Sequence, residues 1–80
     1  MIEVFFFGRI ADVAGARSQT YAGVTTSLYA LRDEIFAAAL ADGRLDRAAL
    51  RMSVNRQQVR DDRVIAPGDE VAFFPVFSGG

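Results

Sequence analysis

The sequence predicts an α+β fold in which one helix lies across a mixed sheet, and three observations lead there. The two most strand-like stretches, IEVFFF and EVAFFPV, stand at opposite ends of the 80 residues. A single clearly periodic helix lies between them, and the other apolar runs are short and bounded by turn residues. The first and last strands, apolar on both faces, are expected to be neighbours at the centre of the sheet.

Residues 2–7 form the first strand, with Ile2, Val4 and Phe6 on one face and Glu3, Phe5 and Phe7 on the other. Residues 8–17 (GRIADVAGAR) carry two glycines and read as a loop with one helical turn, leading to a second strand over 18–22. Thr25, Thr26 and Ser27 offer hydroxyl caps to the helix that starts at Leu28. There Leu28, Leu31, Ile35 and Ala38 or Ala39 recur at helical spacing until Asp42 and Gly43, while Arg32 and Asp33 lie on the polar face and Tyr29 and Phe36 at the margins of the stripe. Residues 44–50 suggest a brief second helical segment. A hairpin follows, with a strand over 52–54, a reversal after Asn55 through Arg56 and Gln57, and a return over 58–60. Asp61 and Asp62 read as a solvated turn, 64–65 as a short strand, and Ala66-Pro67-Gly68-Asp69 as a turn with Pro and Gly in the favoured order. The last strand covers 70–76, with Pro75 near its end, where a missing ladder donor does least harm. One domain over 1–76 and a tail over 77–80 complete the division.

Composition excludes several functions. With no cysteine and no histidine, the chain lacks a thiolate nucleophile, the usual metal ligands and the usual general base near neutral pH. No metal site and no self-contained hydrolase are expected. Nine basic against ten acidic residues, with a pI near 5.2, argue against nucleic-acid binding. Every basic residue is Arg, so no side-chain amine is available for an isopeptide bond. No stretch reaches the roughly 18 apolar residues of a membrane span, and the N-terminus lacks the basic region of a signal peptide; a cytoplasmic protein without membrane contact is expected.

The last strand has no polar face: Val71, Phe73, Pro75 and Phe77 alternate with Ala72, Phe74 and Val76. One helix covers only one side of a sheet, so Phe5, Phe7, Phe74 and Phe77 either meet loop residues or form a patch for a partner. The chain then ends in Ser78-Gly79-Gly80, residues without strand propensity and with a high ordering cost.

Val54-Asn55, GDEVAFFP over 68–75 and the terminal VFSGG, together with the opening FFFG and the helix from Leu28, resemble the small, sulfur-carrying subunit of molybdopterin synthase, within the ubiquitin-like β-grasp superfamily. The resemblance spans essentially the whole chain. It departs where the family often has Pro-Pro-Val and this chain has Pro75-Val76-Phe77, and where Ala11 stands in place of a common Arg.

The resemblance implies a β-grasp fold and a terminal chemistry centred on Gly80. A partner resembling the ubiquitin-activating enzyme would use ATP to adenylate the Gly80 carboxylate. A sulfur donor such as a cysteine desulfurase or rhodanese would then convert it to a thiocarboxylate, and the synthase large subunit would pass the sulfur to a pterin precursor. Ser78 and Gly79 would thread the partner's channel, with Phe7, Phe74, Val76 and Phe77 as the partner-binding surface. No cofactor is expected on the chain itself. Composition alone would read Gly79-Gly80 as a frayed end. Three other readings stay open: a carrier of the same fold serving thiamine, cysteine or tRNA thiolation, a ubiquitin-like protein modifier, and an interaction module with an inert tail.

Overall fold

The first and last strands do pair at the centre of the sheet. The computed structural model describes residues 1–22 and 26–76; Gly23, Val24 and Thr25, and the tail residues Phe77, Ser78, Gly79 and Gly80, lie outside them. Strand β1 (Ile2–Phe6) leads into helix α1 (Arg9–Ala14), strand β2 (Ser18–Tyr21) and a short strand β3 (Thr26–Ser27). Helices α2 (Leu28–Ile35) and α3 (Ala37–Ala41) follow, then a 3₁₀ turn (Arg47–Ala49). Strands β4 (Leu50–Val54), β5 (Gln57–Val59), β6 (Val64–Ile65) and β7 (Glu70–Pro75) complete the chain. The main sheet runs β2-β1-β7-β4-β5, with β1 and β7 parallel and the other pairs antiparallel; β3 and β6 form a separate two-stranded ladder.

Alternation along the strands selects the core. Ile2, Val4 and Phe6 of β1, Val71 and Phe73 of β7, and Leu50 and Met52 of β4 are buried with Leu28, Leu31 and Ala39. Ser27 caps α2 by accepting from the Ala30 N–H at 3.0 Å. Asp62 adds a second cap from across the chain, accepting from the N–H groups of Tyr29 and Arg63 at 2.9 Å each, so this member of the acidic pair does more than face solvent in a turn.

The structure corrects the helix reading in two places. The single helix expected up to Asp42 divides at Phe36, whose backbone (φ −103°, ψ 19°) leaves helical geometry. Phe36 is not marginal but 2% exposed. It meets Phe6 and Phe73 edge-on with centroids 5.8 and 5.2 Å away, while Phe6 and Phe73 stack at 6.0 Å. Edge-to-face contacts of this kind add about 0.5–1.5 kcal/mol beyond burial. Arg32, expected on the polar face, is instead buried. The hairpin turns one residue earlier than expected, at Asn55-Arg56, both with positive φ (50° and 69°), the left-handed pair that suits the twist of a two-residue hairpin.

Candidate functional site

The candidate site is the carboxyl end of β7, where the chain leaves the sheet. Three contacts fix that point. Phe7 N–H donates to Phe73 O at 3.0 Å, Val76 N–H donates to Ala49 O at 3.2 Å, and Leu50 pairs with Pro75 across the β4–β7 ladder. Strand β7 is therefore held by β1 as far as Phe73, and by β4 and the residue before it as far as Val76.

Gly8 completes the anchor. Its φ of +56° with ψ −140° lies in a region essentially reserved for glycine. A Cβ there would stand 3.3 Å from Cγ of Pro75, itself buried. Glycine is thus demanded twice, by the backbone and by the closeness of the proline ring. Nothing in the sequence pairs these two residues; only the parallel register of β1 and β7 brings them together.

Around this exit the apolar residues divide. Phe7 is 53% exposed and Val76 38% exposed, whereas Phe74 is half-buried opposite Arg51, and Phe5 is half-buried opposite Ser18. Phe7, Phe74 and Val76 thus lie at the same end of the central strand pair. A shallow depression lined by Phe5, Phe7, Gly8, Asp12, Arg17 and Ser18 adjoins them. The remaining predicted residues, Phe77, Ser78, Gly79 and Gly80, lie outside the described residues.

The start of β7 is clamped as well. Asn55 accepts from the Glu70 N–H at 2.9 Å, donates through Nδ2 to Asp69 at 3.1 Å, and its own N–H donates to Glu70 O at 2.7 Å. Asp69 also accepts from the Ala66 N–H at 2.8 Å. These donors, Ala66 first and Asn55 second, hold the Asp69 carboxyl below the usual carboxylate range. Asn55 is a turn residue, as expected, with this clamp as its further duty. Among the described residues no group of acidic side chains is arranged to hold a metal ion, and no helix is long and apolar enough to cross a membrane.

A five-stranded mixed sheet with a parallel central pair, packed on one side by helices, is the ubiquitin-like β-grasp architecture. The chain belongs to the ThiS family, whose model matches residues 4–80. It is 36% identical, over an alignment of 86 residues spanning the whole of both chains, to the Escherichia coli (strain K12) protein named molybdopterin synthase sulfur carrier subunit. Among solved structures it resembles SAMP1 from Haloferax volcanii, with a TM-score of 0.64, 30% identity, and 99% of this chain and 98% of that chain covered. The small archaeal modifier protein 1 of Methanosarcina acetivorans has the same fold, with a TM-score of 0.68, 19% identity, and 99% and 95% covered.

Proposed function

We propose that this chain is the sulfur-carrying small subunit of a molybdopterin synthase, with the α-carboxylate of Gly80 as the carrying group. One structural observation supports this above all. Strand β7 is held by β1 as far as Phe73 and by β4 and the 3₁₀ turn as far as Val76, so the four residues beyond it start from an anchored point near exposed Phe7. The full-length likeness to the Escherichia coli sulfur carrier subunit points the same way.

A carboxylate is a poor electrophile until its oxygen becomes a leaving group. In the proposed cycle the Gly80 carboxylate attacks the α-phosphorus of ATP in an adenylating partner of the ubiquitin-activating type, releasing diphosphate. The terminal sulfur of a persulfide on a desulfurase or rhodanese displaces AMP to give an acyl disulfide, and a second thiol then cleaves it, releasing the thiocarboxylate and leaving a disulfide on the donor. The large subunit then passes that sulfur to a pterin precursor and returns the chain as the carboxylate. Gly79 and Gly80 let a narrow channel close around bare backbone, and Ser78 is small enough to follow. Ordering each of these residues costs about 1–2 kcal/mol, which the apolar surface of Phe7, Phe74, Val76 and Phe77 offsets. The chain is thus a cosubstrate, and a sequence without histidine or cysteine suits that role. ATP-dependent loading suits the cytoplasm.

A second reading is favoured by the likeness to the Haloferax volcanii modifier protein. In it the same acyl-adenylate is captured by a lysine amine of another protein, giving an isopeptide. A gel under denaturing conditions separates the two readings, because only the modifier yields lasting conjugates. The primary test is a chain extended beyond Gly80, assayed with the loading enzymes and the large subunit. Sulfur transfer is expected to vanish while the fold persists; full transfer by the extended chain would refute the terminal mechanism.

A further inference from the structure

Four of the nine arginines surround one cavity, in a chain whose net charge is −1. The cavity, about 340 Å³, lies between α2, the 3₁₀ turn and the β4–β5 edge, and is lined by Tyr29, Arg32, Arg47, Arg51 and Arg60 over an apolar floor that includes Met52. No carboxylate is in its lining. The cavity opens on the β5 side of β4, whose Leu50 and Arg51 also pair with Pro75 and Phe74 of the last strand, so it adjoins the exit across that one strand.

Arg32 decides what this space is for. It is only 8% exposed, its guanidinium lies 4.2 Å from the centre of the Tyr29 ring, and its Nε donates to Asp33 at 2.9 Å. Asp33 also accepts from Arg47 Nε at 3.1 Å, so one carboxylate serves two guanidinium groups. Among the described residues Arg32 makes no other side-chain hydrogen bond, yet no buried side-chain nitrogen is left without a partner. Its terminal nitrogens therefore keep some solvent contact, and Arg32 is part of the cavity lining. Tyr29 is itself held in place, its hydroxyl donating to Arg60 O at 3.1 Å.

A buried guanidinium is costly unless its charge and donors are matched, and here one acid faces several bases. The missing partner is a compact anion with several acceptor oxygens, which matches the planar fork of arginine. We infer that this cavity binds the phosphate group of a small molecule. A single concave pocket, in a chain of balanced charge, is not the extended basic track that nucleic acid requires. The size lies at the lower end of small-molecule pockets, which begin at about 300 Å³.

The test titrates inorganic phosphate, diphosphate and AMP into the full chain at low ionic strength, following backbone amide shifts by NMR. Saturable shifts centred on Arg32, Arg47, Leu50 and Val59 are expected, with diphosphate tighter than phosphate. An R47Q/R60Q double variant changes two exposed side chains and should weaken binding about tenfold or more. An R9Q/R17Q variant, which loses the same charge elsewhere, should change it less than about twofold by the weak reach of screened surface charge. Binding of AMP as tight as diphosphate identifies a nucleotide as the source; binding of diphosphate alone identifies a free phosphate. Thermal melts check folding, and R60Q alone serves if the double variant does not fold. Shifts that never saturate, equal weakening in both double variants, or a response to a glutamate-rich peptide but not to phosphate would each overturn the assignment.

Discussion

Replacing Gly8 by alanine probes the anchor of β7 directly. The backbone conformation at φ +56°, ψ −140° costs a non-glycine residue about 1–3 kcal/mol. The added methyl would also stand 3.3 Å from Cγ of Pro75, a buried ring with little room to retreat. Against this, alanine restricts the unfolded chain and returns about 0.4–1 kcal/mol. The net loss is about 1–3 kcal/mol, or roughly 5–20 °C in melting temperature for a domain of this size. Gly15 is the natural comparison, because its φ of +74° is also left-handed but a Cβ there meets nothing within 4 Å. Gly15→Ala should therefore cost only about 1 kcal/mol of backbone strain. Thermal unfolding of both variants, followed by circular dichroism, reads the difference. Gly8→Ala should also slow sulfur transfer at temperatures where it remains folded, since the methyl pushes on the residue from which the tail departs. Equal losses at the two glycines, or a neutral Gly8→Ala, would refute the claim that Gly8 is required by Pro75.

Three further outcomes are expected. Phe36→Ala should cost about 3–5 kcal/mol in denaturant unfolding, because it empties the centre of the aromatic trio; a loss under about 1 kcal/mol, typical of a surface position, would return Phe36 to the helix margin. Asn55→Gly keeps the left-handed backbone but removes the bonds to Glu70 and Asp69, lowering stability by about 1 kcal/mol. The Asp69 carboxyl lies below its ordinary value when folded, so its contribution is present above an unfolded pKa of about 3.9 and is lost as pH falls through the folded value. The variant should accordingly lose less stability than the parent over that acid range, as chemical denaturation at stepped pH would reveal. Phe7→Asp should leave stability within about 0.5 kcal/mol, as expected of an exposed side chain, yet weaken binding to the large subunit about tenfold or more in calorimetry.

Much of the fold was legible because its signals are local. Period-two alternation in IEVFFF, hydroxyl capping before Leu28 and the Pro-Gly turn before β7 each act within a few residues, and the central β1–β7 pair followed from two apolar-faced strands. A stripe drawn through Ile35 puts Phe36 at its margin, although Leu28, Arg32 and Phe36 also recur every four residues. Arg32 escaped for a related reason: a charged side chain reads as solvent-facing, and burial here depends on Tyr29, Asp33 and the cavity between them. The exposure of Phe7 and Val76 was visible as apolar excess, with no polar face to receive it. The pairing of Gly8 with Pro75 was not visible, since it depends on strand register across the whole chain. The same holds for the arginine cavity, assembled from residues 29 to 60.

The most direct measurement of the central claim is the intact mass of the chain after incubation with ATP, a sulfur source and its cognate adenylating enzyme, beside a chain lacking Gly79 and Gly80. The account predicts a gain equal to exchanging one oxygen for sulfur, located in the C-terminal peptide and absent from the shortened chain. An unchanged mass with demonstrably active enzyme would contradict it.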